Sequence, residues 1–289
     1  MYTKIPLQTI FLTIYLGVMS GCGIYASEIF MKTPVDLTLI WTFAAFTFFI
    51  YTLNKYTDKE DCIAKKKDLD YFSNNPYFLA VSVVLMVFAI ACLLIEKKYG
   101  IYHTIVLIAG IVYSIKSIPA VVNKKIVFLR LKDICFLKSI TVALTWGLSF
   151  FLINWITYPE YVSNTREIVI LMVSFTYATF VNTVFCDIRD YYGDYMANIR
   201  TVPVLLGIPR TYRYVVYIPT IIMFTVVSVM YVFGIISLSI FGLLLFNLLY
   251  PVFYIFIYEK KVIKLSAIPA IAESFIFLFS IGLMVISVR

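Results

Sequence analysis

Two short acidic runs are the part of this sequence best suited to chemistry. The first is Asn54-Lys55-Tyr56-Thr57-Asp58-Lys59-Glu60-Asp61. The second is Asn182-Thr183-Val184-Phe185-Cys186-Asp187-Ile188-Arg189-Asp190-Tyr191-Tyr192-Gly193-Asp194. Each holds a DxxD pair with an Asn upstream, and one fixed separation relates Asp58 to Asp187 and Asp61 to Asp190, which makes a weak internal repeat. On a helix that continues through the motif, residues i, i+3 and i+7 share a face. Asp187, Asp190 and Asp194 would then form one acidic stripe, and Asp58 and Asp61 another. Opposed stripes repel unless a hard cation lies between them, and Mg²⁺ takes one or two carboxylates together with waters and phosphate oxygens. The pattern points to a magnesium–diphosphate site. A solvated acidic loop balanced by lysines would explain either DxxD alone; two copies at matching helix ends argue against it.

The elements that position these acids are membrane helices. Of 289 residues, 62% are hydrophobic and 14% charged, with a mean hydropathy of +0.93. Soluble domains carry roughly half apolar and a quarter charged residues. One globular core cannot bury the excess, so lipid must cover much of it, and extended disorder is excluded. A bilayer-crossing helix needs about 20 mostly apolar residues. Nine stretches qualify, near 6–27, 36–54, 77–95, 99–115, 134–157, 167–186, 212–233, 235–257 and 265–287. The first reads as a membrane helix rather than a cleavable signal, because no cleavage site precedes a soluble domain. No polar stretch is long enough for a second domain, so residues 1–289 read as one transmembrane domain.

Basic residues set the orientation. Of the 24 Lys and Arg, only Lys32, Lys97, Lys98, Arg166 and Arg289 fall on one side of a nine-span topology; the other 19 lie with the N-terminus and the loops after spans two, four, six and eight. By the positive-inside rule that second side is cytoplasmic. Both aspartate motifs follow spans that end there. The expected fold is thus an all-α integral membrane bundle of about nine transmembrane helices, multi-pass in the cell membrane, with motifs after helices two and six facing the cytoplasm. The net charge of +8 is a topology signal, and no nucleic-acid motif is present.

Other reactive residue types offer less. The five cysteines show no CxxC or zinc spacing and read as small buried hydrophobes, and the single histidine, His103, has no acidic or Cys neighbour with which to share a metal. Pro219, Pro251 and Pro269 fall inside spans, where kinks are tolerated if neighbours satisfy the freed carbonyls. Glu273 is an acid within span nine, either a functional group near an acceptor or a protonated structural residue.

The residues resemble the UbiA superfamily of intramembrane prenyltransferases. Asp187-Ile188-Arg189-Asp190-Tyr191-Tyr192-Gly193-Asp194, followed by Asn198-Ile199-Arg200-Thr201-Val202-Pro203-Val204-Leu205-Leu206-Gly207, is similar to that family's second aspartate motif and the GI(K/R)T-(L/V)PV-LLG tail after it; Asn198 replaces the usual Gly. The first cluster resembles NDxxDxxxD less closely. Asn54 and Asp58 match, Lys55 stands where Asp is common, and the last Asp would fall on Cys62, with Asp61 one position early. Asp61 or Glu60 could take its place. Tyr113-Ser114-Ile115-Lys116, with Arg130-Leu131-Lys132 further on, is similar to the family's YS-x-x-P…RLK segment, with the proline shifted to Pro119.

The resemblance implies transfer of a prenyl group from an isoprenyl diphosphate to a lipophilic or aromatic acceptor inside the membrane. It implies Mg²⁺ as cofactor. Asp58, Asp187, Asp190 and Asp194 are the expected catalytic acids, and Asn54 and Asp61 join them as candidate metal-site residues. Lys116, Arg200, Asn182 and Tyr113 are the candidates for contact with the diphosphate; Lys116 and Arg200 otherwise serve as topology anchors. Asn54 and Asn182, one turn before the acids, orient a carboxylate, touch metal, or cap a helix end. An allylic cation would need a dry cavity, and aromatic faces stabilise cations by about 0.5–2 kcal/mol each. With 23 Tyr and 25 Phe the chain supplies so many that none can be singled out. Two other readings stay open: a terpene cyclase of the same superfamily acting without an acceptor, and a membrane transporter.

Overall fold

The structure is a computed structural model; it describes residues 7–57, 75–122, 124–134, 136–196, 199–262 and 268–287. Asp58, Asp61, Cys62 and Asn198 lie outside the described residues. The helices are α1 Leu7–Met31, α2 Leu37–Thr57, α3 Tyr77–Ile95, α4 Ile101–Ser114, α5 Leu137–Thr157, α6 Thr165–Arg189, α7 Tyr191–Met196, α8 Val202–Leu206, α9 Ile208–Val232, α10 Leu238–Glu259 and α11 Ile268–Ser287. Between α4 and α5 an antiparallel hairpin pairs β1 Ile118–Val122 with β2 Lys125–Leu129. Seven of the helices are long and apolar enough to cross a membrane, and two shorter apolar helices, Ile101–Ser114 and Ile271–Ser287, accompany them among the described residues. The chain is an all-α multi-pass membrane bundle.

The nine expected spans all fall on helices, but their ends differ. Helix α1 runs on to Met31, because Cys22–Phe30 is an unbroken helix-compatible stretch and Pro34 is the first residue to stop it. Helix α4 has only 14 residues. It opens after an extended Gly100 and closes where Ile115 turns extended to enter the hairpin. At 1.5 Å per residue it is about 21 Å long, short of a hydrocarbon core of about 30 Å.

The chain forms two compact units. The first comprises Met1–Gly21, Leu37–Thr141 and Asp190–Leu205; the second comprises Cys22–Asp36, Val142–Arg189 and Leu206–Arg289. In the first unit α2 packs along α3 and α4. The early part of α1 approaches α2 through Gly17 and Gly21: a Cβ on Gly17 would sit 3.1 Å from the Ala44 carbonyl oxygen, and one on Gly21 3.2 Å from that of Ile40. Between these glycines Ser20 Oγ donates to the Phe43 carbonyl at 2.9 Å. Small residues with a cross-helix hydroxyl are how helices pack where lipid removes the hydrophobic drive.

In the second unit α10 packs on α6, α9 and α11. Gly147 of α5 lets α6 approach, since a Cβ there would fall 1.9 Å from Thr176 Oγ1 and 2.6 Å from Thr176 Cα. Phe175 stacks on Phe150, Phe275 and Phe279 with centroids 5.1, 5.4 and 4.4 Å apart, which makes an aromatic core. Pro219 interrupts α9 just after a π-helical stretch, Tyr212–Tyr217. In the preceding turn the Val216 carbonyl accepts from Tyr177 Oη at 3.0 Å and Thr220 Oγ1 at 2.7 Å, which ties α6 to α9 beside the proline.

Candidate functional site

The end of α2 carries the first motif. A helix C-terminus leaves carbonyls without intrahelical donors and attracts cations. Here both needs are met from the tight turn Leu131–Asp133 that follows the hairpin. Arg130 Nη1 donates to the Thr57 carbonyl at 3.2 Å, and Lys132 Nζ donates to Asn54 Oδ1 at 2.9 Å. The turn is braced by its own ion pair. Arg130 Nη2 and Nε reach Asp133 Oδ1 at 2.8 and 3.0 Å, and the Arg130 backbone N–H donates to Asp133 Oδ2 at 2.9 Å. Lys132 also lies over the Tyr113 ring, 6.0 Å from its centroid.

This group is strongly polarised. Burial pushes the Lys132 ammonium down to about 7, helped by the charges of Lys138 and Lys55 and opposed by Asp133. Burial alone would raise Asp133; the Arg130 hydrogen bonds and charge outweigh it and hold the carboxyl below the usual range. In the sequence, Arg130 and Lys132 stand out only through the family resemblance, and Asp133 does not stand out at all. The signal that could find them is the Arg130–Asp133 i,i+3 pair inside a short charged run.

The second motif is split by a helix break. Helix α6 ends at Arg189, Asp190 sits in a turn, and α7 starts at Tyr191. The uninterrupted stripe expected of Asp187, Asp190 and Asp194 is therefore corrected: Asp187 closes α6, while Asp190 and Asp194 belong to the next turn. There the Asp194 N–H donates to the Asp190 carbonyl at 3.0 Å, and Ile199 N–H donates to the Asp194 carbonyl at 2.9 Å. Asp187 and Asp194 are both buried. Pro203 falls in the first turn of α8, where a missing N–H costs nothing, and Gly207 after it takes φ +78°, a conformation that favours glycine.

The first compact unit contains Asn54, Tyr113, Lys116, Asp190, Asp194 and Arg200. Lys116 and Arg200 are exposed. Asn182 and Asp187 belong to the second unit. There Asn182 Oδ1 accepts from the buried Tyr254 hydroxyl at 2.9 Å, and Tyr254 packs against Phe185 with centroids 5.0 Å apart. Glu273 lies in α11 of the same unit. Among the described residues no three His, Cys, Asp or Glu side chains are grouped to hold a metal; Asp58 and Asp61 are not among those residues.

Solved structures share this architecture. A UbiA homologue from Archaeoglobus fulgidus bound to GPP and Mg²⁺ aligns with a TM-score of 0.63 at 15% identity, covering 96% of this chain and 99% of that one. The same homologue bound to DMAPP and Mg²⁺ aligns at 0.60 and 16% identity, with 96% and 99% covered. A digeranylgeranylglyceryl phosphate synthase structure aligns at 0.55 and 14% identity, covering 96% and 98%. No protein-family model and no curated protein matches the sequence.

Proposed function

We propose, for a chain that has the fold of the UbiA superfamily, that it is a magnesium-dependent intramembrane prenyltransferase. It moves a prenyl group from an isoprenyl diphosphate to a lipophilic or aromatic acceptor, in quinone, ether-lipid or related isoprenoid synthesis. The observation that carries the reading is the composition of the first compact unit. Segment Asp190–Leu205, with most of the second motif and its tail, joins α2 and the hairpin turn although it lies far from both in sequence. A diphosphate shared by the two motifs is in keeping with that grouping. Structural relatives bound to GPP or DMAPP with Mg²⁺ support the same chemistry.

The donor chemistry fits the metal. Carboxylate oxygens from Asp58, Asp61, Asp187, Asp190 and Asp194 are the hard ligands that Mg²⁺ prefers, and neither motif offers a histidine. When bound, Mg²⁺ neutralises charge on the leaving diphosphate. The chain's own residues do the rest. The carboxylates hold the cation, and Lys116 and Arg200 bind diphosphate oxygens, Arg200 through its planar fork. Tyr113 and Asn182 complete the contacts. Asn54 Oδ1 already accepts from Lys132, which favours its amide as a donor that orients a motif carboxylate. The apolar helices exclude water from the reacting carbon, and the acceptor and prenyl chain enter from lipid. The whole of 1–289 acts as one domain, with its motifs toward the cytoplasm of a cell membrane.

The test is incubation of the purified chain with labelled geranylgeranyl diphosphate, Mg²⁺ and a panel of lipophilic acceptors. A prenylated acceptor and free diphosphate are expected, lost with EDTA and restored by Mg²⁺. A cyclic hydrocarbon or terpene alcohol formed without acceptor would overturn transfer in favour of cyclisation, a reading that the irregular first motif keeps in view. Substrate flux through proteoliposomes without diphosphate release would overturn both.

A further inference from the structure

The hairpin between α4 and α5 has two unlike faces. Its register sets Pro119 opposite Phe128 and Val121 opposite Ile126. Directly paired residues project to the same side of a sheet, and side chains alternate along each strand. Pro119, Val121, Ile126 and Phe128 therefore share one face, and every one of them is apolar. That face is open: Val121 is 75% exposed, Ile126 73% and Phe128 56%. Ile118, Ala120, Val127 and Leu129 on the other face are partly covered. A soluble loop of this size would place polar residues outward.

Charge and position identify what meets that face. Lys116 lies just before the hairpin and Lys124 at its tip, both exposed, so apolar side chains are combined with cations. No acid occurs from Ile115 to Lys132. Only Ile115, Lys116 and Ser117 separate the end of α4 from β1. Three extended residues span at most about 10 Å. The polar headgroup layer is about 5–8 Å thick on each side of the hydrocarbon. Because α4 is itself shorter than the hydrocarbon core, the hairpin begins close to the hydrocarbon edge and cannot rise far from it.

We propose that this hairpin is an interfacial anchor: the face formed by Pro119, Val121, Ile126 and Phe128 inserts into the headgroup layer of the bilayer the chain spans, and Lys124 at its tip binds anionic phospholipid headgroups there. The proposal stands apart from the reaction assigned above. It links the membrane surface to the turn that holds α2, since Arg130 follows β2 directly.

The test places a spin label at Ile126→Cys, and separately at Val121→Cys and Val127→Cys, in the full chain reconstituted into vesicles of phosphatidylcholine alone or with phosphatidylglycerol as a minor component. Collisions with oxygen, which concentrates in lipid, are compared with collisions with a water-soluble nickel chelate. At 121 and 126 the oxygen-to-nickel ratio should exceed that of an aqueous label severalfold, and it should rise further with phosphatidylglycerol. Position 127, on the covered face, should show low access to both reagents and no lipid dependence. Lys124→Glu should remove the phosphatidylglycerol increment, one lysine accounting for about a fivefold change in surface association. Free access of nickel to 121 and 126 in both vesicle types overturns the proposal. So does spin–spin broadening at 126 that disappears on dilution with unlabelled protein, because a second copy would then cover the face. If the Ile126→Cys variant fails to fold, the Val121→Cys label gives the same readout.

Discussion

Arg130→Ala should unfasten the end of α2, and the structure sets how much that costs. Arg130 is 4% exposed and holds Asp133 through Nε and Nη2 while Nη1 caps the Thr57 carbonyl. Breaking a fully buried ion pair by removing one partner costs about 3–5 kcal/mol. The Asp133 side chain keeps 21% exposure, so water recovers part of this, and about 2–3 kcal/mol is expected. The lost cap on Thr57 adds about 1 kcal/mol. Asp133→Ala should cost about as much, about 3 kcal/mol, because it leaves the guanidinium, whose side chain is only 5% exposed, without its counter-charge although Thr57 is still held. The double substitution should fall well short of the sum of the two, with a coupling of about 2 kcal/mol. Arg130→Lys keeps the charge but not the fork and should recover only part of the loss. Equilibrium unfolding in mixed micelles measures all four variants. Simple additivity, or an Arg130→Ala variant within about 0.5 kcal/mol of wild type, would refute the claim that this pair secures α2. Since Thr57 immediately precedes Asp58, Arg130→Ala should also slow turnover about 10- to 100-fold, the scale of a displacement of about 1 Å in a reacting group.

Three further outcomes follow from single contacts. Gly147→Ala should cost about 1–3 kcal/mol or more in the same assay, because its Cβ meets the Thr176 backbone at 2.6 Å, while Gly242→Ala, whose Cβ meets nothing within 4 Å, should be neutral or stabilising by up to about 1 kcal/mol. Tyr254→Phe should lose about 1–3 kcal/mol by leaving buried Asn182 Oδ1 without that donor, and Tyr254→Phe combined with Asn182→Leu should lose less than Tyr254→Phe alone. Asp133 sits below its unfolded value of about 3.9. Its contribution is therefore complete above about pH 4 and disappears as pH falls through the folded value, so unfolding midpoints of wild type and Asp133→Asn should differ most near about pH 5 to 6, converge in more acid buffer, and differ less above about pH 7, where Lys132, whose charge Asp133 supports, releases its proton.

The membrane helices are legible because lipid imposes a simple rule: every span must carry a long apolar run, and each of the nine runs falls on a helix. Their ends are less so. Nothing in hydropathy separates Cys22–Phe30 into a span and a tail, and a hairpin such as Ile118–Leu129, made of residues as apolar as a helix, reads only as part of an interhelical loop. The positions of the acids are visible, but their register is not. Periodicity assumes that a helix continues, and the turn at Asp190 shows that it does not. The Arg130–Asp133 brace is hidden for a different reason. Its partners Thr57 and Asn54 are far away in sequence, and a single chain carries no sign that a charged turn will fold back onto a helix end. The unit that joins α2 with Asp190–Leu205 could be expected from paired motifs, but only the fold brings these segments together.

The central claim is that both motifs serve one diphosphate, and binding tests it without any need to know the acceptor. A non-cleavable prenyl thiodiphosphate should bind the detergent-solubilised chain only when Mg²⁺ is present. Asp58→Asn and Asp190→Asn should each weaken that binding at least about tenfold while leaving thermal stability unchanged, as expected of carboxylates that hold one cation–diphosphate pair. Wild-type affinity in either variant, or tight binding that persists in EDTA, would contradict the account.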